Sequence, residues 1–348
     1  MKVTVGMMHY RRDPRTLFKA YAYAAAAKME GVDFFYFTPG RVDLEKRTIV
    51  AWFYEDGAWV ERETSFPDVI YNSGGSVSEK TDEVIERLFD EIPYTSHSVG
   101  DKVTVYNRLL KGRLFAKYLL PTHRVRSEDD VLDKLNEYER VIVKPTSGAK
   151  GIGVVYVEQN GDDFVTIEQT ERSLFTRREF ERWLEQWLEM EDLLVQPYVA
   201  SRTKAGQPFD FRLHVQKGGQ GQWVMTTIYP RIGQAGSIIT NLSAGGATNE
   251  LKFFLEHEFG TEAYDIAREL EVFALQLAAH MDEVYEENFD ELGIDIGLDP
   301  HRKFWLYEVN WRPGQPMLFR LELDVVRNMI LYCKYLAAHY GQNKWRAQ

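Results

Sequence analysis

The sequence predicts an α/β (α+β) chain in which a parallel, doubly wound unit is followed by two further regions of mixed strands and helices. Three observations carry this prediction. Over the first hundred residues, runs of β-formers alternate with helical segments, as in strands joined by crossovers. Residues 98–199 then hold a helix after Gly100, the strand VIVKP, a glycine-bearing loop, the strand GVVYV and a further helix. Residues 200–348 read as two antiparallel strands, FDFRLHVQ and QWVMTTIYP, a long helix around 262–286, one more strand and a terminal helix. The division expected is therefore 1–97, 98–199 and 200–348, and a chain of 348 residues can bury two or three cores.

The elements follow from local pattern. KVTVGMM reads as a buried strand, and TLFKAYAYAAAAKMEG as a helix of strong formers stopped by Gly31. DFFYF and the PDVIYN stretch are the next strands. VSEKTDEVIERLFDEI places Val84, Ile85, Leu88 and Phe89 on one helical face. Ligands of such sheets bind beyond the carboxyl ends of the strands, where YNSGGS (71–76) lies, although a plain turn explains that stretch equally well. In the second region Thr176 precedes Glu179 by three residues, a capping-box spacing. The stripe Phe180, Trp183, Leu184, Trp187 and Leu188 behind it is core-forming. LLVQPYV reads as a buried strand running into a domain boundary.

Composition excludes some functions. A net charge of -11 and a pI near 5.4 argue against a non-specific nucleic-acid binder. The single cysteine, Cys333, has no partner for an internal disulfide and reads as a core thiol on the terminal helix. MKVTVGMMHY shows no cleavable signal pattern, and no apolar run approaches the roughly 20 residues of a membrane span, so a cytoplasmic protein is expected.

The chemistry-bearing residues cluster in a few stretches. In GIDIGLDPHRKFWLYEVNWRPG, Glu308 and Asn310 lie two apart on a strand and point to one face. With Asp295 from a neighbouring strand they form an all-oxygen set suited to Mg²⁺, an ion usually shared with substrate phosphates. Lys144 ends the strand VIVKP as a point charge for phosphate oxygens, and Ser147, Gly148, Gly151 and Gly153 follow in a loop whose backbone N–H groups can approach phosphates. A strand follows this loop, so it is neither a Walker A loop nor a dinucleotide fingerprint, and a ligand-free hairpin remains the alternative. Lys102 opens a helix, where the dipole prefers anions, which hints at a phosphate partner. Gln196 sits in the strand LLVQPYV, whose backbone can address an adenine edge. FDFRLHVQ alternates Phe209, Phe211, Leu213 and Val215 with Asp210, Arg212 and His214. Arg212 offers a fork of donors for a phosphoryl group, while His214 reads as structural. NLSAGG (241–246) is a loop able to wrap a phosphate or a carboxylate.

Taken in order, Lys102, Lys144 with its glycine loop, QPYV, D-x-R, N-x-S-x-G-G and then Asp295, Glu308 and Asn310 followed by Pro313 and Gly314 resemble the ATP-grasp superfamily over about residues 98–320. Within it the chain looks most like the spore-coat-associated YheC/YheD group, and more distantly like RimK-type glutamate ligases. The resemblance implies an ATP-grasp fold behind an N-terminal parallel α/β domain. It implies ATP phosphates at Lys102 and Lys144, covered by Ser147, Gly148 and Gly151, with Asn241 assisting. Adenine would lie near Gln196, Tyr198 and Val199, the transferred phosphoryl group at Arg212, and Mg²⁺ at Asp295, Glu308 and Asn310. Ala149 and Lys150 stand where more glycine is expected, which puts the loop's cover of the triphosphate in doubt.

The implied reaction is carboxylate–amine ligation through an acyl phosphate, with release of ADP and phosphate. Small-molecule or peptide acids and amines are the expected partners, without nucleic acid or membrane, and spore-coat association follows from the group's name. A small-molecule kinase on the same scaffold and a non-catalytic, nucleotide-binding coat protein are the alternatives. No residue in the sequence selects the acid or the amine.

Overall fold

The computed structural model describes residues 2–74, 78–147, 152–240, 245–314 and 319–339. The chain runs β1 (Thr4–Met8), α1 (Phe18–Met29), β2 (Asp33–Phe37), β3 (Val42–Asp43), β4 (Thr48–Glu55), β5 (Ala58–Ser65), β6 (Val69–Asn72) and α2 (Glu79–Glu91). There follow α3 (Lys102–Gly112), β7 (His123–Val125), α4 (Glu128–Tyr138), β8 (Arg140–Pro145), β9 (Val155–Asn160), β10 (Asp163–Glu168), β11 (Glu171–Thr176), α5 (Arg177–Met190) and β12 (Leu193–Pro197). The last part holds β13 (Phe209–Lys217), β14 (Trp223–Ile232), β15 (Ala247–Thr248), α6 (Leu251–Phe259), α7 (Ala263–Tyr285), β16 (Glu291–Leu298), β17 (Phe304–Asn310) and α8 (Phe319–His339).

Three sheets result. The first has the order β3-β4-β2-β1-β6 with β5 on β4. Its centre, β2-β1-β6, is parallel. The sheet as a whole is mixed rather than parallel, because β4 and β5 form an antiparallel hairpin on its flank. Asp56 and Gly57 close that hairpin with φ of 48° and 84°, the doubly positive pair that a two-residue turn of this twist requires. The second sheet, β11-β10-β9-β8-β12-β7, is antiparallel at every described pairing. So is the third, β15-β14-β13-β16-β17.

Each sheet has its own apolar core. Phe180, Leu184, Trp183, Trp187 and Leu188 of α5 pack with Val141, Val143 and Val195 of the second sheet, and the Thr176–Glu179 capping box opens that helix. Val105 and Leu109 of α3 join the core of the third sheet, together with Phe211, Leu213, Leu270 and Leu277. The terminal helix returns to the first sheet: Val326, Met329, Ile330 and Cys333 pack with Val5, Tyr23, Tyr36 and Val69. Cys333 is fully buried there, and burial pushes its thiol far above the ordinary range, so it stays an unreactive core group. Among the described residues no helix is long and apolar enough to cross a membrane.

Candidate active site

The second and third sheets face each other across a cleft of about 560 Å³ that continues into a chamber of about 270 Å³. Alternation along the strands decides which side chains enter it. On β8, Val141, Val143 and Pro145 are buried, which leaves Ile142 and Lys144 for the cleft. On β13, Phe209, Phe211, Leu213 and Val215 enter the core and Asp210 and Arg212 enter the cleft. His214 departs from that row. It is fully buried, with Nε2 2.7 Å from Oε1 of Glu291, which gives it a structural place.

The strand β17 does not alternate evenly. Phe304, Leu306 and Val309 all reach the core. Unbroken alternation from Phe304 would carry Glu308 into the core as well. A bulge shifts the register between Asp295 and Ile296, so that Asp295 pairs with Glu308 while Ile296 pairs with Leu306. Tyr307 is the extra residue, and after it the phase is inverted. Glu308 and Asn310 consequently share the cleft face beside Asp295.

Lys144 meets these oxygen donors from the second sheet, and Lys102 from the start of α3, which packs on the third. Both line the same two chambers as Glu308 and Asn310. Burial pushes the Lys144 ammonium down to about 8, the field of Lys102 adds to this, and Glu308 opposes it. Those influences place the three charged groups near one another. Asp101 caps α3 by accepting from Thr104 N at 2.7 Å, which holds Lys102 at the first turn.

Deeper in the cleft lies an ionic network. Arg212 donates from Nε to Asp295 Oδ1 and from Nη2 to Oδ2, the latter at 3.0 Å. Arg231 Nη2 stands 3.0 Å from Asp295 Oδ2. Arg231 also donates to both oxygens of Asp210, at 2.7 and 2.6 Å. Burial alone would raise the Asp295 carboxyl, but Arg212 and then Arg231 outweigh it and hold the group below its usual range. Sequence reasoning missed Arg231. Its signal is the hairpin register, which sets Asp210 opposite Arg231 once FDFRLHVQ is paired with the following strand.

Of the remaining candidates, Gln196, Tyr198 and Val199 line the cleft and Ser147 lines the smaller chamber. The Gln196 amide is already engaged, donating to Thr122 Oγ1 at 2.7 Å. Tyr198 meets Tyr156 edge-on at 4.9 Å and accepts from Arg202 Nε at 2.9 Å. Gly148, Gly151 and Asn241 lie outside the described residues. Among the described residues no group of three His, Cys, Asp or Glu side chains is assembled as a metal site. The cleft offers instead two carboxylates and an amide oxygen, Asp295, Glu308 and Asn310. This all-oxygen set fits a hard divalent cation, provided Asp295 is shared with its arginines.

Residues 91–336 match the family model of YheC/D-like ATP-grasp proteins. The endospore coat-associated protein YheC of Bacillus subtilis is 25% identical over 98% of this chain and 98% of its own length. YheD of the same organism, also named an endospore coat-associated protein, is 27% identical over 87% of this chain and 70% of its own length. Among solved structures, the D-alanyl-alanine synthetase A of Vibrio cholerae superposes with a TM-score of 0.57 at 13% identity, covering 98% of each chain.

Proposed function

Since this chain belongs to the YheC/D-like ATP-grasp family, we propose that it is an ATP-dependent ligase joining a carboxylic acid to an amine. One observation carries the reading: ammonium groups of Lys102 and Lys144 and the oxygen donors Glu308 and Asn310 share one cleft between two sheets. Cations gathered beside a metal-binding oxygen set suit a triphosphate. Lys102 and Lys144 would neutralise its phosphates. Gln196, Tyr198 and Val199 would border the adenine. Asp295, Glu308 and Asn310 would hold Mg²⁺, which supplies charge neutralisation on the phosphate oxygens.

In the proposed reaction a carboxylate oxygen attacks the γ-phosphorus of ATP and the bond to the β-phosphate oxygen breaks. ADP leaves and an acyl phosphate remains. The amine nitrogen then attacks the acyl carbon, phosphate departs, and the nitrogen loses a proton as the amide forms. Arg212, which lines the cleft, would bind the transferred phosphoryl group in this reading. Most of the rate would come from positioning and fixed charge in a site withdrawn from water.

The test is ADP and phosphate release measured with Mg-ATP and pooled amino acids and short peptides, with mass spectrometry of the products. The coat-related names of the Bacillus relatives make coat peptides a sensible part of the pool. Amide product with release that needs both acid and amine supports the ligase. AMP and pyrophosphate would overturn it. A stable phosphorylated product without an amine requirement would identify a kinase, and nucleotide binding without turnover on any mixture would identify a non-catalytic binder.

A further inference from the structure

The cleft face of the third sheet carries a row of opposite charges whose order follows from strand pairing. Register sets Arg231 of β14 opposite Asp210 of β13, Arg212 of β13 opposite Asp295 of β16, and Asp295 opposite Glu308 of β17. All five side chains line the cleft. Thr240, in the segment after β14, also lines it and donates its hydroxyl to Asp210 Oδ2. The ligase reading gives roles to Arg212, Asp295 and Glu308 and leaves Asp210 and Arg231 without one.

Counting acceptor positions shows what that pair does for its neighbour. An ionised carboxylate offers about four lone-pair positions. Arg212 takes one on each oxygen of Asp295, through Nε and Nη2. Arg231 makes a single 3.0 Å approach to Asp295, from Nη2 to Oδ2, which covers a third. Its fork is aimed instead at Asp210, with Nε 2.7 Å from Oδ1 and Nη2 2.6 Å from Oδ2. A second fork closing on Asp295 would fill the last position and set two guanidinium charges on one carboxylate, leaving neither a lone pair nor net negative charge for a metal ion. The Asp210 and Asp295 side chains are 5% and 7% exposed and the two arginines 12% each, so water cannot stand in for a missing anion. Without the Asp210 charge, Arg231 would turn to Asp295, the other carboxylate within its reach.

We infer that Asp210 is a positioning residue of the metal site: by holding the fork of Arg231 it keeps Asp295 open to Mg²⁺ beside Glu308 and Asn310. This rests on the metal set of the ligase reading above and adds to it the pair that keeps that set usable. Asp210 acts here through Arg231 rather than as a ligand, so removing Arg231 should make Asp210 dispensable to the metal.

The test is calorimetric titration of the full chain with a non-hydrolysable ATP analogue, once with saturating Mg²⁺ and once with excess EDTA. The ratio of the two affinities is the metal's contribution, and it is read without turnover. Asp210→Asn keeps the shape and should lower that ratio about tenfold or more, the range in which supporting neighbours of metal ligands act. Arg231→Met should not lower it, and the double variant combining both changes should recover the wild-type ratio to within about threefold. Should Asp210→Asn fail to fold, Arg231→Met and the double variant carry the test. A folded Asp210→Asn variant with the wild-type ratio, a tenfold loss in Arg231→Met, or a double variant that stays weak would each overturn the inference, the last by making Asp210 a ligand or a prop of the fold. Equal affinities with Mg²⁺ and EDTA in the wild-type protein would overturn it together with the metal set. Absence of amide product with all the ratios as expected would count against the ligase alone.

Discussion

Arg212 and Asp295 are direct partners on neighbouring antiparallel strands, and the guanidinium grips the carboxylate through two parallel N–H donors. A group proposed to bind phosphoryl oxygen and a group proposed to bind metal are thus joined to each other. Arg231 leans on the same carboxylate and is itself held by Asp210. Asp295→Asn leaves Arg212 as a buried cation without its anion. Removing one partner of such a pair should cost about 3 kcal/mol of folding stability. Urea denaturation checks this, and a midpoint equal to wild type would mean that Asp210 alone satisfies both arginines.

Glu308 should behave in the opposite way. It is half-buried and faces Lys144 across the cleft rather than an ionic cage. Glu308→Gln keeps the shape and should change stability by less than about 1 kcal/mol. Loss of a metal ligand should still lower Mg²⁺-dependent ATP turnover at least about a hundredfold, since even the supporting neighbours of ligands cost up to that much. Stability and turnover measured on one preparation separate the two carboxylates. A Glu308→Gln variant with normal turnover would remove this residue from the metal set.

Lys144 makes a pH prediction. Its folded value of about 8 lies below the ordinary 10.5, with burial as the largest cause. Between those values the unfolded chain holds more protons than the folded one, so this residue makes stability rise with pH across that window. Below pH 8 the folded protein carries the full cost of the half-buried charge. Lys144→Met should therefore stabilise the empty protein at pH 7 by about 1 kcal/mol, after allowance for solvent screening, and flatten the rise between pH 8 and 10.5. The same variant should lose ATP affinity at pH 7. Denaturation curves from pH 7 to 10 check the sign, and parallel curves for the two proteins would refute it.

The site was legible in the sequence where a residue's role follows from strand alternation. Lys144 and Arg212 reach the cleft because their strands alternate evenly. Glu308 reaches it only through the bulge at Tyr307, which no spacing in FWLYEVN announces, although the same-face placement with Asn310 holds after it. Arg231 is not legible in spacing, because its role depends on which strands pair. The β4–β5 hairpin was legible in principle, since EDG between two β-rich runs is a hairpin signal. The return of α8 to the first sheet was not, because its apolar face specifies burial without specifying a partner.

Gly293 tests how closely the third sheet is built around the cleft. It lies within β16, opposite His214 on one side and Asn310 on the other. A Cβ there would stand 2.5 Å from Cβ of Pro313, 3.3 Å from its Cγ and 3.4 Å from Cδ of Arg212. Proline is stiff, so the segment carrying Arg312 and Pro313 must move, and the stem of Arg212 is crowded with it. Gly293→Ala should therefore cost about 1–3 kcal/mol in stability while the protein still folds. Its effect on the site should be larger than that figure suggests, because small displacements of positioning groups are expensive in rate, on the order of a hundredfold per ångström. Steady-state kinetics on the folded variant decide the matter: an unchanged kcat/KM would show that the turn after β17 can shift without disturbing the chemistry, and that Arg312 and Pro313 stand outside it.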